Sequence, residues 1–363
     1  MKQTGLFLLL FTLLGAPLQS QELLPEKIDD AVARGAEFLR SQQAEDGSFA
    51  SMMGSGVTSV VLIGLLENGV SLEDPMVAKG LKYLETQVQP DGAIVNPQFG
   101  FGNYETSIGV LAFSLANKDG RYDEILKDAE KYLRKYQWDE SEGLTAADTK
   151  YGGAGYGGRM SRPDLSNTGF LLDALESLGA KEDDEAVQKA MVFVSRCQNL
   201  ESEHNTLPFA AETNDGGFIY TFVMDEDKMP QGMKNQALKS YGSMTYTGFK
   251  SMIYAGLKED DPRMQAAIGW LAKNYSFEEN PGQGQAGLYY YYLVMSKALK
   301  KYGKTTFRDA EGVEHRWADE ILAELLERQQ EDGSWVNDKS ARWMENNAIL
   351  VTGYAMMIFG NCR

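Results

Sequence analysis

The chain has 363 residues, 43% of them hydrophobic, and a formal net charge of −17. That length and apolar content suffice for a large core. The acidity and the lack of a Lys/Arg cluster exclude a nucleic-acid partner, which calls for basic patches, and fit a solvated outer surface instead.

The first residues read as a secretory signal: Lys2 gives a positive start, Leu6 to Leu14 a short apolar run, and Leu18-Gln19-Ser20 a cleavage site before Gln21. The expected organisation is therefore a signal peptide over 1–20 and one domain over 21–363, exported to the periplasm or the medium. The run is too short to span a bilayer comfortably, and no transmembrane segment is expected after its removal. The cysteines, Cys197 and Cys362, are far apart in sequence; they could pair in an oxidising compartment, and two buried free thiols is the other reading.

From there the chain alternates two kinds of helix. The first kind is amphipathic: Ile28, Ala31, Val32, Gly35, Phe38 and Leu39 form an apolar stripe, with Asp29, Asp30, Arg34, Glu37 and Arg40 around it. The second kind is apolar nearly all round, Val57 to Leu66 being interrupted only by Thr58 and Ser59. A helix without a polar face must be surrounded by protein, so the first kind forms an outer wall and the second an inner one. Outer helices are expected near Ile28, Pro75, Tyr122, Asp184, Pro262 and His315, and inner helices near Val57, Ser107, Thr168, Thr245, Gly287 and Ala348. Asp74-Pro75 and Asp261-Pro262 supply an N-cap acceptor followed by Pro at the first helical position. Gly turns join outer to inner helices at Gly47, Gly92, Gly143, Gly216-Gly217, Gly282 and Gly333. Internal repetition of this kind fixes architecture. The reading is an all-α, (α/α)6 toroid of six helix pairs. An open solenoid would need polar terminal repeats, and the terminal inner helices are as apolar as the others.

Two of the turns are near-duplicates, Gln43-Ala44-Glu45-Asp46-Gly47-Ser48-Phe49 and Gln330-Glu331-Asp332-Gly333-Ser334-Trp335. With Arg34-Gly35 and Phe38-Leu39 ahead of the first, they resemble the QW repeat of squalene and oxidosqualene cyclases; Lys79-Gly80, Tyr83-Leu84 and Asp91-Gly92 make a weaker copy. The whole mature chain is thus similar to the terpenoid cyclase and protein prenyltransferase repeat family. Pro163 to Thr168, Tyr241 to Thr245, and Asn280 to Gly282 with Gly287 to Tyr292 look like its exported bacterial squalene-cyclase-like group. The resemblance implies that the Gln side chains bond the start of a neighbouring helix and that the aromatic ring stacks nearby, as wall rather than as chemistry.

It also implies where an acid would sit. Class II cyclases carry a DxDD motif whose middle Asp protonates an alkene or epoxide. The matching stretch is Asp164-Leu165-Ser166-Asn167, so Asp164 is the candidate catalytic residue, while Ser166 replaces the proton donor and Asn167 the following Asp. A Ser hydroxyl is too weak an acid for that step, and a helix cap is the other reading of Asp164. Prenyltransferase-type zinc has no matching set in Cys197, His204 and His315, so neither metal nor cofactor is expected.

The loops before the inner helices are rich in Gly and aromatic residues, and ring one mouth if these helices run the same way. Tyr104, Glu105, Tyr156, Arg162, Asn167, Tyr246, Tyr289, Tyr290 and Trp343 are the candidate ligand-binding residues there. Consecutive tyrosines point around a helix, so about half of Tyr289 to Tyr292 would reach the lumen. The expected ligand is a hydrophobic, isoprenoid-like small molecule, with cyclase or transferase activity left open by the altered acid motif. The alternatives are a carbohydrate-processing or carbohydrate-binding toroid using Glu105, Asp148, Asp164, Asp215 or Glu345, and a scaffold without a small-molecule site.

Overall fold

The computed structural model describes residues 25–98, 101–157, 162–224 and 236–363; the signal-like run, Phe99-Gly100 and Gly158 lie outside them. Among the described residues twelve helices of 12 to 18 residues alternate outer and inner. The outer set is α1 (Pro25–Gln42), α3 (Pro75–Thr86), α5 (Asp123–Lys135), α7 (Glu185–Arg196), α9 (Pro262–Lys273) and α11 (Trp317–Arg328). The inner set is α2 (Gly56–Glu67), α4 (Gly102–Ala116), α6 (Leu165–Ser177), α8 (Gly242–Tyr254), α10 (Leu288–Tyr302) and α12 (Ala348–Cys362). A short helix, Pro208–Thr213, and a hairpin of two-residue strands, Phe307–Arg308 against Glu314–His315, decorate the connections.

Each inner helix packs on the next, and α12 returns to α2, so the ring closes into an all-α toroid. The closure is visible in single contacts. Asn68 Nδ2 donates to Met356 O at 2.7 Å, and a Cβ on Gly64 would fall 2.6 Å from Met356. In the outer wall Gln329 Nε2 donates to Ala31 O at 2.9 Å. Burial explains the two helix types. On α1 only Ala31, Val32, Gly35 and Leu39 are buried, whereas ten of the twelve residues of α2 are. Fully burying a side chain such as Leu39 stabilises by about 2 kcal/mol.

Four of the Gly turns share one construction, while Gln89 bonds within its own turn and Gly282 lies against Ser240 and Tyr241 instead of an outer helix. A Gln in the turn reaches the backbone of the following outer helix: Gln43 donates to Met76 O, Gln137 to Ala186 O, Gln198 to Arg263 O, and each also to the turn's own carbonyl. The turn Gly has positive φ and lies against that helix, so that a Cβ on Gly47 would fall 2.3 Å from Lys79 O and one on Gly333 2.5 Å from Arg34 O. Trp335 is fully buried, with its indole N–H on Leu325 O at 2.7 Å. The wall role implied by the QW resemblance is therefore what the turns do.

The third turn differs from expectation. Gly143 ends a 3-10 turn with open space around it, and Gly152 takes the equivalent place, with Lys189 O 1.8 Å from where its Cβ would be. An insertion between Trp138 and Tyr151 displaces the motif, and the Glu142-Gly143 pair imitates it locally. A second device recurs along the ring. A Thr in the first turn of five inner helices accepts the backbone N–H of the preceding turn: Thr58 from Phe49, Thr106 from Ile94, Thr168 from Ala154, Thr245 from Phe218 and Thr352 from Trp335.

Candidate ligand site at the toroid mouth

The inner helices run parallel, because starts meet starts and ends meet ends. Asn103 Nδ2 lies 3.4 Å from Asn167 O and Gly242 N 2.9 Å from Pro281 O, while Asn361 and Lys300 meet Ser296 and Gly360 at the other end. All the loops before inner helices consequently form one rim.

The carboxylates on that rim serve helix starts. Glu105 Oε2 accepts Ser55 N at 2.7 Å and Asn96 N at 3.1 Å, together with the Ser55 hydroxyl. Glu345 Oε1 accepts Tyr290 N, and its Oε2 accepts Asn337 Nδ2, both at 2.8 Å; burial raises its pKa against those bonds. Asp164 is the N-cap of α6, with Oδ1 on Asn167 N and Oδ2 on Asn167 Nδ2, both at 2.8 Å. Burial pushes the Asp164 carboxyl up to about 6, opposed by the Asn167 hydrogen bonds. Asp148 accepts Thr145 N in an exposed turn, and Asp215 accepts Gly217 N and the Ser240 hydroxyl. Each of the five is thus engaged with its own turn or a helix start. Five inner helix starts are served by a side-chain acceptor: Glu105, Asp164, Asn280, Glu345 and Asn347.

Aromatic rings form the rest of the rim. Phe101, Tyr156 and Trp343 are 37%, 42% and 43% exposed. From the first two a continuous series descends into the lumen, with centroid separations of 5.3 Å for Phe101–Tyr156, 6.1 Å for Tyr156–Tyr104, 5.2 Å for Tyr104–Phe170, 6.2 Å for Phe170–Tyr290 and 6.2 Å for Tyr290–Tyr354. These spacings are those at which aromatic pairs attract. Trp343 and Met344 hold left-handed backbone, φ 57 and 63, a conformation that costs a non-Gly residue free energy. The Trp343 ring covers Gly287, where any Cβ would lie 2.6 Å from it, and Arg342 stacks 4.6 Å from its centroid.

Of the sequence candidates, Tyr104, Tyr156 and Tyr290 are brought into one series, with Asp164 and Asn167 in the adjacent helix start. Trp343 lies on the same rim, and Arg162 is exposed with its guanidinium 3.5 Å from Val223 O. Tyr246 and Tyr289 are not in the lumen: Tyr246 is buried against Tyr291, and Tyr289 against Tyr292. Of Tyr289 to Tyr292 only Tyr290 keeps appreciable exposure, fewer than the half expected. Cys197 and Cys362 are both free thiols.

Ser166, two residues after Asp164, is 2.9 Å from the Tyr290 hydroxyl. Below this pair lies a cavity of about 10 Å³, room for about one water, bounded by Phe170, Thr247, Asp173, Lys250 and Lys297. These last three charges were missed, yet they left a signal: each is a charge between uncharged neighbours at the ninth or tenth residue of an inner helix. Asp173 Oδ1 pairs with Lys250 and Oδ2 with Lys297, the latter at 3.1 Å. Burial would raise Asp173, but the two ammonium groups outweigh it and bring the carboxyl down to about 2.

No family model matches the chain, and no curated protein matches it significantly. Solved structures do share its fold. The type II terpene cyclase MstE from Scytonema superposes in a variant without ligand at a TM-score of 0.56 and 13% identity, over 93% of this chain and 97% of that one. Another variant of the same cyclase, solved with its substrate geranylgeranyl dihydroxybenzoate, gives 0.56 and 14% over the same shares. An alpha-amylase from Clostridium perfringens gives 0.55 and 11%, over 91% and 97%. At such identities the likeness concerns the toroid alone.

Proposed function

We propose that the chain binds an elongated apolar, isoprenoid-like ligand at the aromatic mouth of the toroid and does not protonate it. The observation that carries this reading is the unbroken ring series from exposed Phe101 and Tyr156 down to Tyr290 and Tyr354. Ring faces at that spacing offer a continuous polarisable wall to an alkene chain. The fold also serves a cyclase crystallised with a geranylgeranyl compound. The cavity of about 10 Å³ beside Phe170 and Tyr290 has room for about one water, so entry of the ligand's chain requires these two rings to move.

Protonation-initiated cyclisation needs a strong, undissociated acid facing the alkene. Ser166 supplies a hydroxyl there, Asp164 accepts two hydrogen bonds within its cap, and Asp173 is ionised between two lysines. None of these three side chains takes the donor's part. Glycan hydrolysis would need paired carboxylates across a cleft, and the rim carboxylates instead serve helix starts.

The test is a titration with geranylgeraniol and, separately, maltohexaose, read by thermal melting. Geranylgeraniol at roughly 100 times its Kd should stabilise by about 2.7 kcal/mol, a rise of a few degrees in Tm, and maltohexaose should leave Tm unchanged. Tyr104→Ala should weaken geranylgeraniol binding roughly tenfold by removing about 1.4 kcal/mol of ring contact. Stabilisation by the oligosaccharide alone, or by neither, overturns the reading.

A further inference from the structure

We propose that the Lys250–Lys297 pair receives a carboxylate from the ligand, so that the occupant of the lumen is an acidic amphiphile with its head group down and its apolar chain along the rings. This rests on the apolar-ligand reading above and narrows it to one chemical class.

The charge inventory carries the inference. Asp173, Lys250 and Lys297 project from α6, α8 and α10, roughly 12–15 Å below the helix starts at 1.5 Å per residue. One carboxylate faces two ammonium groups, and it gives one oxygen to each. Lys250 is only 6% exposed, and burial lowers its pKa against the pull of Asp173, whereas Lys297 is half-buried. Each ammonium carries three N–H donors, and Asp173 accounts for one on each lysine. Burying a cation without a full complement of acceptors is unfavourable, so a second anion at this spot is attracted strongly in the poorly screened lumen.

Glu67 and Glu176 also act on Lys297, and Glu67 does not complete the set. Among the described residues no ion pair joins it to either lysine, and its Oε2 has no hydrogen-bond partner. Burial raises its pKa, with Lys297 and Lys300 opposing, so its negative charge is itself disfavoured. Glu176 is taken by Lys301.

The space above the lysines has the right chemistry. Ser166, Thr247 and Tyr290 present hydroxyls around a cavity of about 10 Å³, directly beneath Phe170 in the ring series. A cavity of this size admits a head-group oxygen and excludes a bulky polyanion. One oxygen of a carboxylate matches that volume, and its charge offsets the burial that works against the Lys250 ammonium.

The experiment compares three probes by isothermal titration calorimetry on the folded chain: farnesoic acid, farnesol and acetate. The wild type should bind farnesoic acid at least about tenfold more tightly than farnesol. In Lys297→Met, which leaves the Lys250–Asp173 pair in place, that preference should vanish while farnesol affinity stays unchanged. Lys250→Met should behave likewise, and the far-UV circular dichroism of each variant confirms folding. Equal binding of acid and alcohol by the wild type overturns the carboxylate site and leaves the apolar-ligand reading standing. Binding of acetate as tightly as farnesoic acid, lost in Lys297→Met, places a free small carboxylate there and overturns the amphiphile. Binding of no probe overturns both.

Discussion

At Asp164 a buried carboxylate accepts the Asn167 backbone N–H and side-chain amide, and a substitution there separates a cap from a catalyst. Asp164→Ala leaves those donors without an acceptor and should destabilise by about 1–3 kcal/mol; Asp164→Asn keeps one acceptor and should cost less. Ligand affinity should survive in both, as measured by the same titration. The carboxyl also imprints a pH dependence. Its folded pKa, about 6, lies above the ordinary value, so the folded state holds the proton more tightly. The associated stability, on the order of 3 kcal/mol for about two pKa units, is fully present below about pH 4 and is lost as pH rises through 6. Chemical denaturation between pH 4 and 7 should show this slope in the wild type and not in Asp164→Asn. His315 behaves differently. Burial would lower its pKa, but Asp309 on Nε2 and Glu320 on Nδ1, each at 3.0 Å, hold it above the usual value. Its contribution is present below about 6.5 and fades as pH rises past the folded value. His315→Gln should remove the loss of stability that the wild type shows on going from neutral to alkaline pH.

Among the elements, the turns give a matched test of geometry against space. Gly143 and Gly152 have nearly the same φ, 77 and 80, but only Gly152 touches another helix, α7 at Lys189 O. Gly143→Ala should cost about 1 kcal/mol, the strain of left-handed backbone. Gly152→Ala adds a steric conflict with backbone that cannot rotate away, and should cost at least about 3 kcal/mol in urea denaturation. The sequence showed a Gly turn near each place but not which Gly bears on the next wall, because φ is a local property and that approach is not. The same division applies to the tyrosine run. Periodicity says that four consecutive tyrosines point around α10, and only the neighbouring helices decide that Tyr290 meets the lumen. Phe170 and Tyr354 completed the ring series without any sequence signal of their own, being two apolar residues among many in apolar helices.

For the molecule as a whole, closure is what joins the two ends of the chain. Arg363 pairs with Asp29 at 3.0 Å, and α11 meets α1 through Gln329 and Ala31. A circular permutant linking Arg363 to Pro25 through a short Gly/Ser segment, with new ends at Gly143, keeps every wall contact. It should fold with a single melting transition and a stability within about 2 kcal/mol of the parent, by thermal circular dichroism. An open spiral would instead lose the seam and melt in stages.

The sequence by itself determined the toroid: alternating amphipathic and wholly apolar helices, punctuated by near-duplicate Gly turns, leave a two-walled ring as the arrangement that hides every apolar face. Only the tertiary structure decided that Asp164, Glu105 and Glu345 serve helix starts, and that Asp173, Lys250 and Lys297 converge from three helices. Burial and periodicity are written along one helix at a time. The meeting of charges and rings across the lumen depends on the rotation of each helix against its neighbours, which packing alone sets.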